Sequence, residues 1–375
     1  MAFTRTRALP ASGLGSLSED VTLPADAEDT ISSLSWSPVA NHLAAGSWDG
    51  KVRIYDVKPD RSAQGAAMLS AQGPVFDCDW AKDGTMVLAG GADTKLHLLQ
   101  VATGQQATIG SHDRPVRGAR FVDVPGSSAP IIASGSWDKT VKFWDLRQQG
   151  PAATLACQER VYSMDAKERL LVIATADRYI HLVDLQNPAA FLRTQRSPLN
   201  HQTTCVAAFP DGKGWATASI EGRCGINALD QQEASKVNFT FRCHREAPSP
   251  SSSSSLSSRS EAAATTTTTK IWAVNDVRFH PGCPTSFATA GSDGSFSFWD
   301  RVAHLRLKGF PSSGGGGAAI TAAAFSSSSR DGSGTLYAYA SGYDWSRGHA
   351  GNSPETQTRL RVHAVAEDEI VPLRK

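Results

Sequence analysis

The sequence predicts an all-β protein folded as a seven-bladed propeller, and three observations carry that expectation. A short strand–turn–strand unit recurs seven times, each with an acidic residue in its turn. Apolar and polar residues alternate with period two on both sides of the turns, the pattern of half-buried strands. Almost no segment outside these units has helical periodicity.

The turns read GSWDGKV (46–52), GGADTKL (90–96), GSWDKTV (135–141), ATADRYI (174–180), ASIEGRC (218–224), AGSDGSF (290–296) and SGYDWSR (341–347). Their acids are Asp49, Asp93, Asp138, Asp177, Glu221, Asp293 and Asp344, at intervals of 44, 45, 39, 44, 72 and 51 residues. Setting aside the 24-residue low-complexity stretch 246–269 reduces the interval of 72 to 48. A period of about 40–45 residues is one four-stranded propeller blade. Upstream runs such as ISSLSW (31–36), VFDCDW (75–80), VRGARF (116–121) and VNDVRF (274–279) are placed to pack between neighbouring blades. Seven residues after the acid the next strand ends, at Tyr55-Asp56, Leu99-Gln100, Trp144-Asp145, Val183-Asp184, Asn227-Ala228 and Trp299-Asp300. With two complete Trp-Asp pairs, the unit resembles the WD repeat.

The seven acids have a structural job. A turn carboxylate accepts hydrogen bonds from its own hairpin and from a histidine in the preceding loop, a role that suits His112 and His201. Such a charge-assisted bond contributes about 1.5–3 kcal/mol. The ring needs closing. AITAAAF, TLYAYA (335–340) and RLRVHAV (359–365) give blade seven three strands, and the N-terminal VTL (21–23) is expected as the fourth. Closure removes sheet edges that invite aggregation. The propeller then spans 21–366, between a disordered tail over 1–20 and a short tail over 367–375. The Ser/Thr-rich stretch 246–269 is expected to be a disordered insertion between blades five and six. PSSGGGGAA (311–319) is a second flexible connection, and DWSRGHAGNSPETQT (344–358) makes an unusually long, polar blade-seven hairpin.

Composition narrows the function. Lys+Arg number 37 and Asp+Glu 36, so a net charge of +1 gives no bulk attraction to nucleic acid or membrane. No apolar run approaches the ~18 residues of a membrane span. Six scattered cysteines without a C-x-x-C pair argue against zinc and a disulfide framework, and for reduced thiols in a cytosolic or nuclear protein. The first residues have two arginines and no acid before Glu19, a weak likeness to a transit peptide, but no apolar core for a secretory signal. Asn238-Phe239-Thr240 matches a glycosylation sequon, read here as chance. No phosphate-binding loop, hydrolase elbow or H-E-x-x-H helix occurs. Neither catalysis, metal nor cofactor is expected.

What remains is surface. Six of the seven turns place a base just after the acid: Lys51, Lys95, Lys139, Arg178, Arg223 and Arg347. Trp48, Trp137, Tyr343 and Trp345 share those turns. Cations interleaved with large aromatics suit an acidic peptide, with arginine forking carboxylates and tryptophan supplying anchor area. They suit single-stranded RNA as well, through backbone charge and base stacking.

Several strings go further than the generic repeat: GSWDKTVKFWDLR (135–147), ASIEGR (218–223), NFTFRCHR (238–245), AVNDVRFHP (273–281), GSDGSFSFWD (291–300) and YASGYDWSRGH (339–349). Together they resemble the Gle/Rae-type mRNA export factors of the nuclear pore, with the Bub-type mitotic checkpoint propellers as near relatives. The resemblance implies a partner, a GLEBS motif. This is a short acidic hairpin-forming segment, found in an FG nucleoporin for the export factors and in checkpoint kinases for their relatives. It implies that Arg223 faces a glutamate of that motif, in a heterodimer containing one copy of this chain. Phe241, Trp299, Asp300 and Arg301 resemble a side pocket offered to other proteins, with His304 where the family tends to have arginine. Messenger ribonucleoprotein as cargo and a nuclear-pore location with shuttling to the cytoplasm follow from the same resemblance, and no membrane contact does.

Overall fold

A strand clamped between two neighbours cannot expose either face, and the inner strands here are apolar accordingly. Ile131–Ser136 and Leu170–Thr175 are buried at every position. The outermost strands, such as Ala63–Ser70 and Pro151–Ala156, keep one face in water. The computed structural model describes residues 13–24, 26–127, 129–246, 269–312, 318–327, 334–353 and 356–371. Within them lie seven four-stranded antiparallel sheets. The blades span 31–70, 75–111, 116–156, 161–196, 203–242, 274–310 and 319–365. Each innermost strand packs against those of the two adjacent blades, and the seventh against the first. The architecture is the expected seven-bladed propeller.

Closure comes from the expected segment. Val21–Leu23 pairs antiparallel with Arg359–Val365, Val21 opposite Val362. Leu23, Leu360 and Val362 join Ile31 and Leu34 of blade one in a single core cluster. Burying Leu23 contributes about 1.5–3 kcal/mol to holding the two chain ends together.

Polar contacts reinforce this clasp. Of the expected N-terminal tail, residues 1–12 lie outside the described residues. Further along, the Gly15 N–H donates to the Gly309 carbonyl at 2.8 Å, and Asp20 accepts from Tyr339 Oη at 2.7 Å. The His363 ring lies between Asp20 (Nδ1, 2.7 Å) and Glu369 (Nε2, 3.0 Å). Glu369 belongs to the short helix Glu367–Ile370, whose Ile370 carbonyl accepts from Ser286 Oγ of blade six at 2.6 Å. One imidazole thus ties the N-terminal segment, the last strand and the C-terminal helix.

The Ser/Thr-rich stretch lies outside the described residues from 247 to 268, as do 313–317 of the Gly-rich connection. Arg245–Glu246 and Lys270–Ile271 pair as a two-stranded ribbon at the base of the first.

Between blades the chain uses side chains. Asp77 accepts from the Ala119 N–H (3.0 Å), Asp165 from Ala208 (2.8 Å) and Asp276 from Ala323 (2.9 Å), each on the next blade's inner strand. Ser33 Oγ accepts from the Cys78 N–H at 3.2 Å. Thr204 donates to the Val274 carbonyl and Thr321 to that of Ile31, at 2.5 and 2.6 Å. Arg120 bridges Asp77 of blade two to Asp165 of blade four. Burial pushes the Asp79 and Asp276 carboxyls above the usual range, and burial with no compensating acid takes His280 down to about 4.

Burial disfavours charge on His363, but the bonds to Asp20 and Glu369 outweigh it and raise the ring to about 9. A raised folded-state pKa stabilises fully below the unfolded value of 6.5 and is lost as pH climbs through about 9. The contribution is on the order of 3 kcal/mol. Melting temperatures of wild type and His363→Gln should therefore differ most at pH 6 and converge above pH 9.5; a constant difference across that window would remove the clasp from the account.

Candidate partner-binding face

The turn acids fix local geometry first. In all seven turns the residue after the acid is left-handed: Gly50, Thr94, Lys139, Arg178, Gly222, Gly294 and Trp345. Six of the acids, all but Glu221, accept from the backbone N–H two residues on, for example Asp49 from Lys51 at 3.0 Å and Asp138 from Thr140 at 2.9 Å. This tight turn aims its apex at solvent. Glycine meets the demand freely, whereas Lys139, Arg178 and Trp345 carry about 1–2 kcal/mol of strain each. Bulky side chains kept where glycine would fold better point to use of the side chain.

Blades three and six, which keep the Trp-Asp pair, build complete relays behind their turns. His112 bonds Asp138 at 2.8 Å and Ser134 at 2.8 Å, and Ser134 Oγ accepts from Trp144 Nε1 at 2.7 Å. In blade six, His244 bonds Asp293 at 2.9 Å and Thr289 at 3.0 Å, and Trp299 Nε1 donates to Thr289 at 2.9 Å. His112 fills its expected place. His201 does not: its side chain is 59% exposed, and it stands 3.8 Å from Glu221, beyond hydrogen-bond reach. Elsewhere the turn acid finds other partners: Arg53 for Asp49 (2.8 Å), His97 for Asp93 (2.7 Å) and Thr175 for Asp177 (2.6 Å).

Three of the tryptophan and tyrosine turns meet in one ladder. Tyr343 touches Trp345 (ring centroids 5.5 Å), Trp345 stacks on Trp48 (4.9 Å, 19°), Trp48 meets Phe76 (5.7 Å) and Phe76 meets Trp137 (5.6 Å). The ladder runs from blade seven through one and two to three. All its rings are partly exposed. The indole N–H groups of Trp137 and Trp345 find no acceptor among the described residues. Leaving such donors buried costs about 1–3 kcal/mol each, so the rings are placed for their faces.

Phe76 comes from a second device, absent from the sequence reading. Every innermost strand shifts register near its start, bulging Ser32, Phe76, Arg117, Tyr162, Thr204, Asn275 and Thr321 at the channel mouth. Ser32, Thr204, Asn275 and Thr321 spend their side chains on the next blade's carbonyls. Phe76, Arg117 and Tyr162, on blades two to four, do not. Burial holds the Arg117 guanidinium below the ordinary arginine range.

Blades four and five carry the charge. Arg160 lies over the Tyr162 ring (5.6 Å) and Arg196 over Tyr179 (5.8 Å). Arg178 donates to the Asn200 carbonyl at 2.7 Å. Arg223 and Arg242 sit opposite one another on paired strands. Arg245 grips the Glu221 and Gly222 carbonyls, and burial together with Arg223 and Arg242 holds it below the ordinary range. Glu221, 3.6 Å from Arg223, is the carboxylate that acts on both Arg223 and Arg245. Lys139 is partly neutralised by Glu159 at 2.8 Å, and Lys95 reaches Gln72 at 3.5 Å. Lys51 is half-buried and Arg347 exposed.

The side-pocket residues are mostly packing. Phe241, Trp299 and Asp300 are buried, Asp300 capping the Val302 and Ala303 N–H groups at 2.7 Å. Arg301 folds over the Phe209 ring (4.2 Å) and donates to the Pro284 carbonyl at 3.0 Å. What reaches the surface there is His304, stacked on Phe239 at 4.0 Å, beside Val302. Away from the turns, a cavity of about 960 Å³ opens among the far ends of the inner strands, lined in part by Asp79, Arg120, Asp165 and Lys167. Among the described residues no group of three His, Cys, Asp or Glu could hold a metal ion.

The family model for the WD domain, G-beta repeat, matches residues 20–56, 66–98, 104–145 and 264–300. Blades four, five and seven fall outside it. Over their full length the relatives are closer. The chain is 43% identical to the mRNA export factor GLE2 of Chaetomium thermophilum, over 99% of this chain and 97% of that one. It is 42% identical to the Poly(A)+ RNA export protein of Schizosaccharomyces pombe, with the same coverage. The chain belongs to the WD-repeat mRNA export factor family. The WD40 repeat protein poxJ of Penicillium oxalicum, 47% identical over 96% of this chain and 97% of its own, has the same extent. In this member of the export factor family the turn face is divided: aromatic on blades seven to three, arginine-rich on blades four and five.

Stacking of Trp48 on Trp345 couples their indole transitions. Far-ultraviolet circular dichroism should show an exciton couplet that Trp48→Ala abolishes while leaving the melting temperature within a few degrees. An unchanged spectrum would mean the rings are not stacked in solution.

Proposed function

We propose that this protein is a non-catalytic adaptor for mRNA export whose turn face docks on an acidic GLEBS-type motif of an FG nucleoporin, placing it at the nuclear pore with shuttling to the cytoplasm. The carrying observation is the divided face. Arg223, Arg242 and Arg245 leave an excess of positive charge for carboxylates, and the Tyr343-to-Trp137 ladder offers apolar anchorage within the same ring of turns. Arginine forks bind carboxylates bidentately, and flat aromatics supply most anchor energy at interfaces. The names of the relatives support the export role.

Calorimetric titration of the full chain with a GLEBS peptide from the same organism's FG nucleoporin tests this. Arg223→Ala should cost about 2–5 kcal/mol, the penalty for breaking a charge pair desolvated by binding, and Arg223→Lys should recover part of it. Wild type that fails to bind ends the reading.

A second reading, direct contact with single-stranded RNA, is favoured by the Arg160–Tyr162 and Arg196–Tyr179 pairs on blade four. Cation-capped aromatics accept stacked bases while tracking phosphates. Its signature is oligonucleotide affinity that falls linearly on a log–log salt plot and weakens in Tyr179→Ala. Affinity insensitive to both would remove RNA from this face.

A further inference from the structure

Five of the six cysteines are buried, and two of them face each other. Cys224 Sγ, on the third strand of blade five, lies 3.8 Å from Cys243 Sγ, one residue past the end of the fourth. Neither belongs to the relays behind the turns, and the proposed docking does not use them. Their position is particular. Cys224 follows Arg223, and Cys243 stands between Arg242 and His244, with Arg245 one residue further on. The Cys243 N–H donates to the Gly222 carbonyl at the apex of the blade-five turn, at 3.0 Å.

We propose that Cys224 and Cys243 form a disulfide when the protein meets a two-electron thiol oxidant such as hydrogen peroxide, making this pair a modification site built into the base of the arginine cluster.

The surroundings decide which thiol reacts. Burial alone pushes a thiol up, and it takes Cys78, Cys157 and Cys205 to about 12. Cys243 is equally enclosed, yet the contact with Cys224 and the nearby His244 and Arg245 charges outweigh burial and draw it below the ordinary thiol value. Cys224, buried and facing that thiolate, is held well above it. Cys243 is also the less enclosed of the two, 7% exposed against 0% for Cys224, and it is the one flanked by Arg242, His244 and Arg245, so it is the sulfur that meets the oxidant first. The Cys243 thiolate attacks one peroxide oxygen, the O–O bond breaks, and the departing hydroxide takes up a proton and leaves as water. Cys243 is now a sulfenic acid. The Cys224 sulfur then attacks the Cys243 sulfur, displacing hydroxide, which takes the Cys224 proton and leaves as a second water. Two thiols and one peroxide give one disulfide and two waters, the two electrons coming from the paired sulfurs.

Bond formation shortens the sulfur separation from 3.8 Å to about 2.0 Å. The strands bearing Arg223 and Arg242 must move to allow it. A consequence, resting on the acidic-motif reading, is weaker peptide binding after oxidation.

The primary test does not depend on that reading. Full-length native protein is treated with stoichiometric hydrogen peroxide, free thiols are alkylated, and a tryptic digest is mapped by mass without reduction. Cleavage after Arg223, Lys236, Arg242 and Arg245 separates the two cysteines onto peptides 224–236 and 243–245. The expected result is those two peptides joined, in most of the chains, and released by dithiothreitol. In Cys224→Ser, Cys243 should instead accumulate as sulfenic acid, trapped by dimedone. Both cysteines alkylated after peroxide, or sulfinic acid on Cys243 beside an alkylated Cys224 in wild type, would overturn the proposal. Peptide titration of the oxidised protein is the second readout. A joined pair with at least threefold weaker binding supports both the site and its effect on docking, whereas a joined pair with unchanged affinity keeps the site and removes that effect.

Discussion

The structure depends on one constraint: the innermost strand of every blade has an edge along the channel with no strand to pair with. Backbone N–H and C=O groups buried without partners cost free energy that a marginally stable fold cannot absorb seven times over. This chain answers with side chains from the preceding blade. Asp77, Asp165 and Asp276 each accept from a neighbour's N–H, while Thr204, Asn275 and Thr321 donate to a neighbour's carbonyl. The carboxylates bring a second problem, since charge in the interior is costly unless paired. Arg120 answers it between Asp77 and Asp165, and Arg278 does so for Asp276 at 3.0 Å. The same contacts that satisfy the backbone lock the angle between blades, so the seven turns are held in one ring.

The candidate site is what this arrangement leaves over. Each inner strand bulges near its start, and in blades one, five, six and seven the bulged residue bonds across to the next blade. In blades two and three the aspartate and arginine deeper in the strand already join the blades, and in blade four Ser163 accepts from the Val206 N–H at 3.0 Å. Their bulge residues are free to be Phe76, Arg117 and Tyr162. Blades one and six make both kinds of bond, through Ser32 and Ser33 and through Asn275 and Asp276, so it is these three side chains, left out of the joints, that are available to a ligand. The left-handed Lys139, Arg178 and Trp345 make the same point at the turns, where glycine would have cost less.

Much of this was legible in the chain itself. A turn acid every 40 to 50 residues marks the blades because the acid fixes the hairpin, and the alternating runs mark strands because one face must be buried. The closing strand Val21–Leu23 could be read for the same reason. His244 was missed because the Ser/Thr-rich stretch puts it 49 residues before Asp293, whereas His112 is 26 before Asp138. His201 looked equivalent by position, but the loop turns its ring to solvent. The bulges were hidden because a one-residue register shift leaves no trace in alternation: VFDCDW reads as a regular strand although Phe76 leaves its line. The buried Asp77, Asp165 and Asp276 were visible as acids within apolar strands, a signal that pairing can explain only once the neighbouring blade is in view. The side-pocket residues went the other way. A motif marks Phe241 and Trp299, but burial shows that most of their surface is already spent on the core.

The division of the turn face sets what kind of ligand it can hold. Exposed charge pairs contribute at most about 1 kcal/mol and are screened by salt. Arg223 alone, with Glu221 beside it, would discriminate poorly between acidic ligands. Arg242 and Arg245 beside it change the balance, because the field that remains attracts a carboxylate before contact and is strengthened as water is excluded. The aromatic half acts differently. Stacked rings contribute about 0.5–1.5 kcal/mol per pair beyond area burial and are indifferent to salt. A ligand engaging both halves must be acidic at one end and apolar at the other, and long enough to cross from blade five to the near ends of the ladder on blades three or seven. Charge then governs how fast it arrives, and the ladder how long it stays. A uniformly charged polymer would use the arginines and leave the tryptophans idle, and the strain and unpaired indole donors built into the ladder would then have no return. The composition of the face thus favours a segment of mixed character over a purely anionic one.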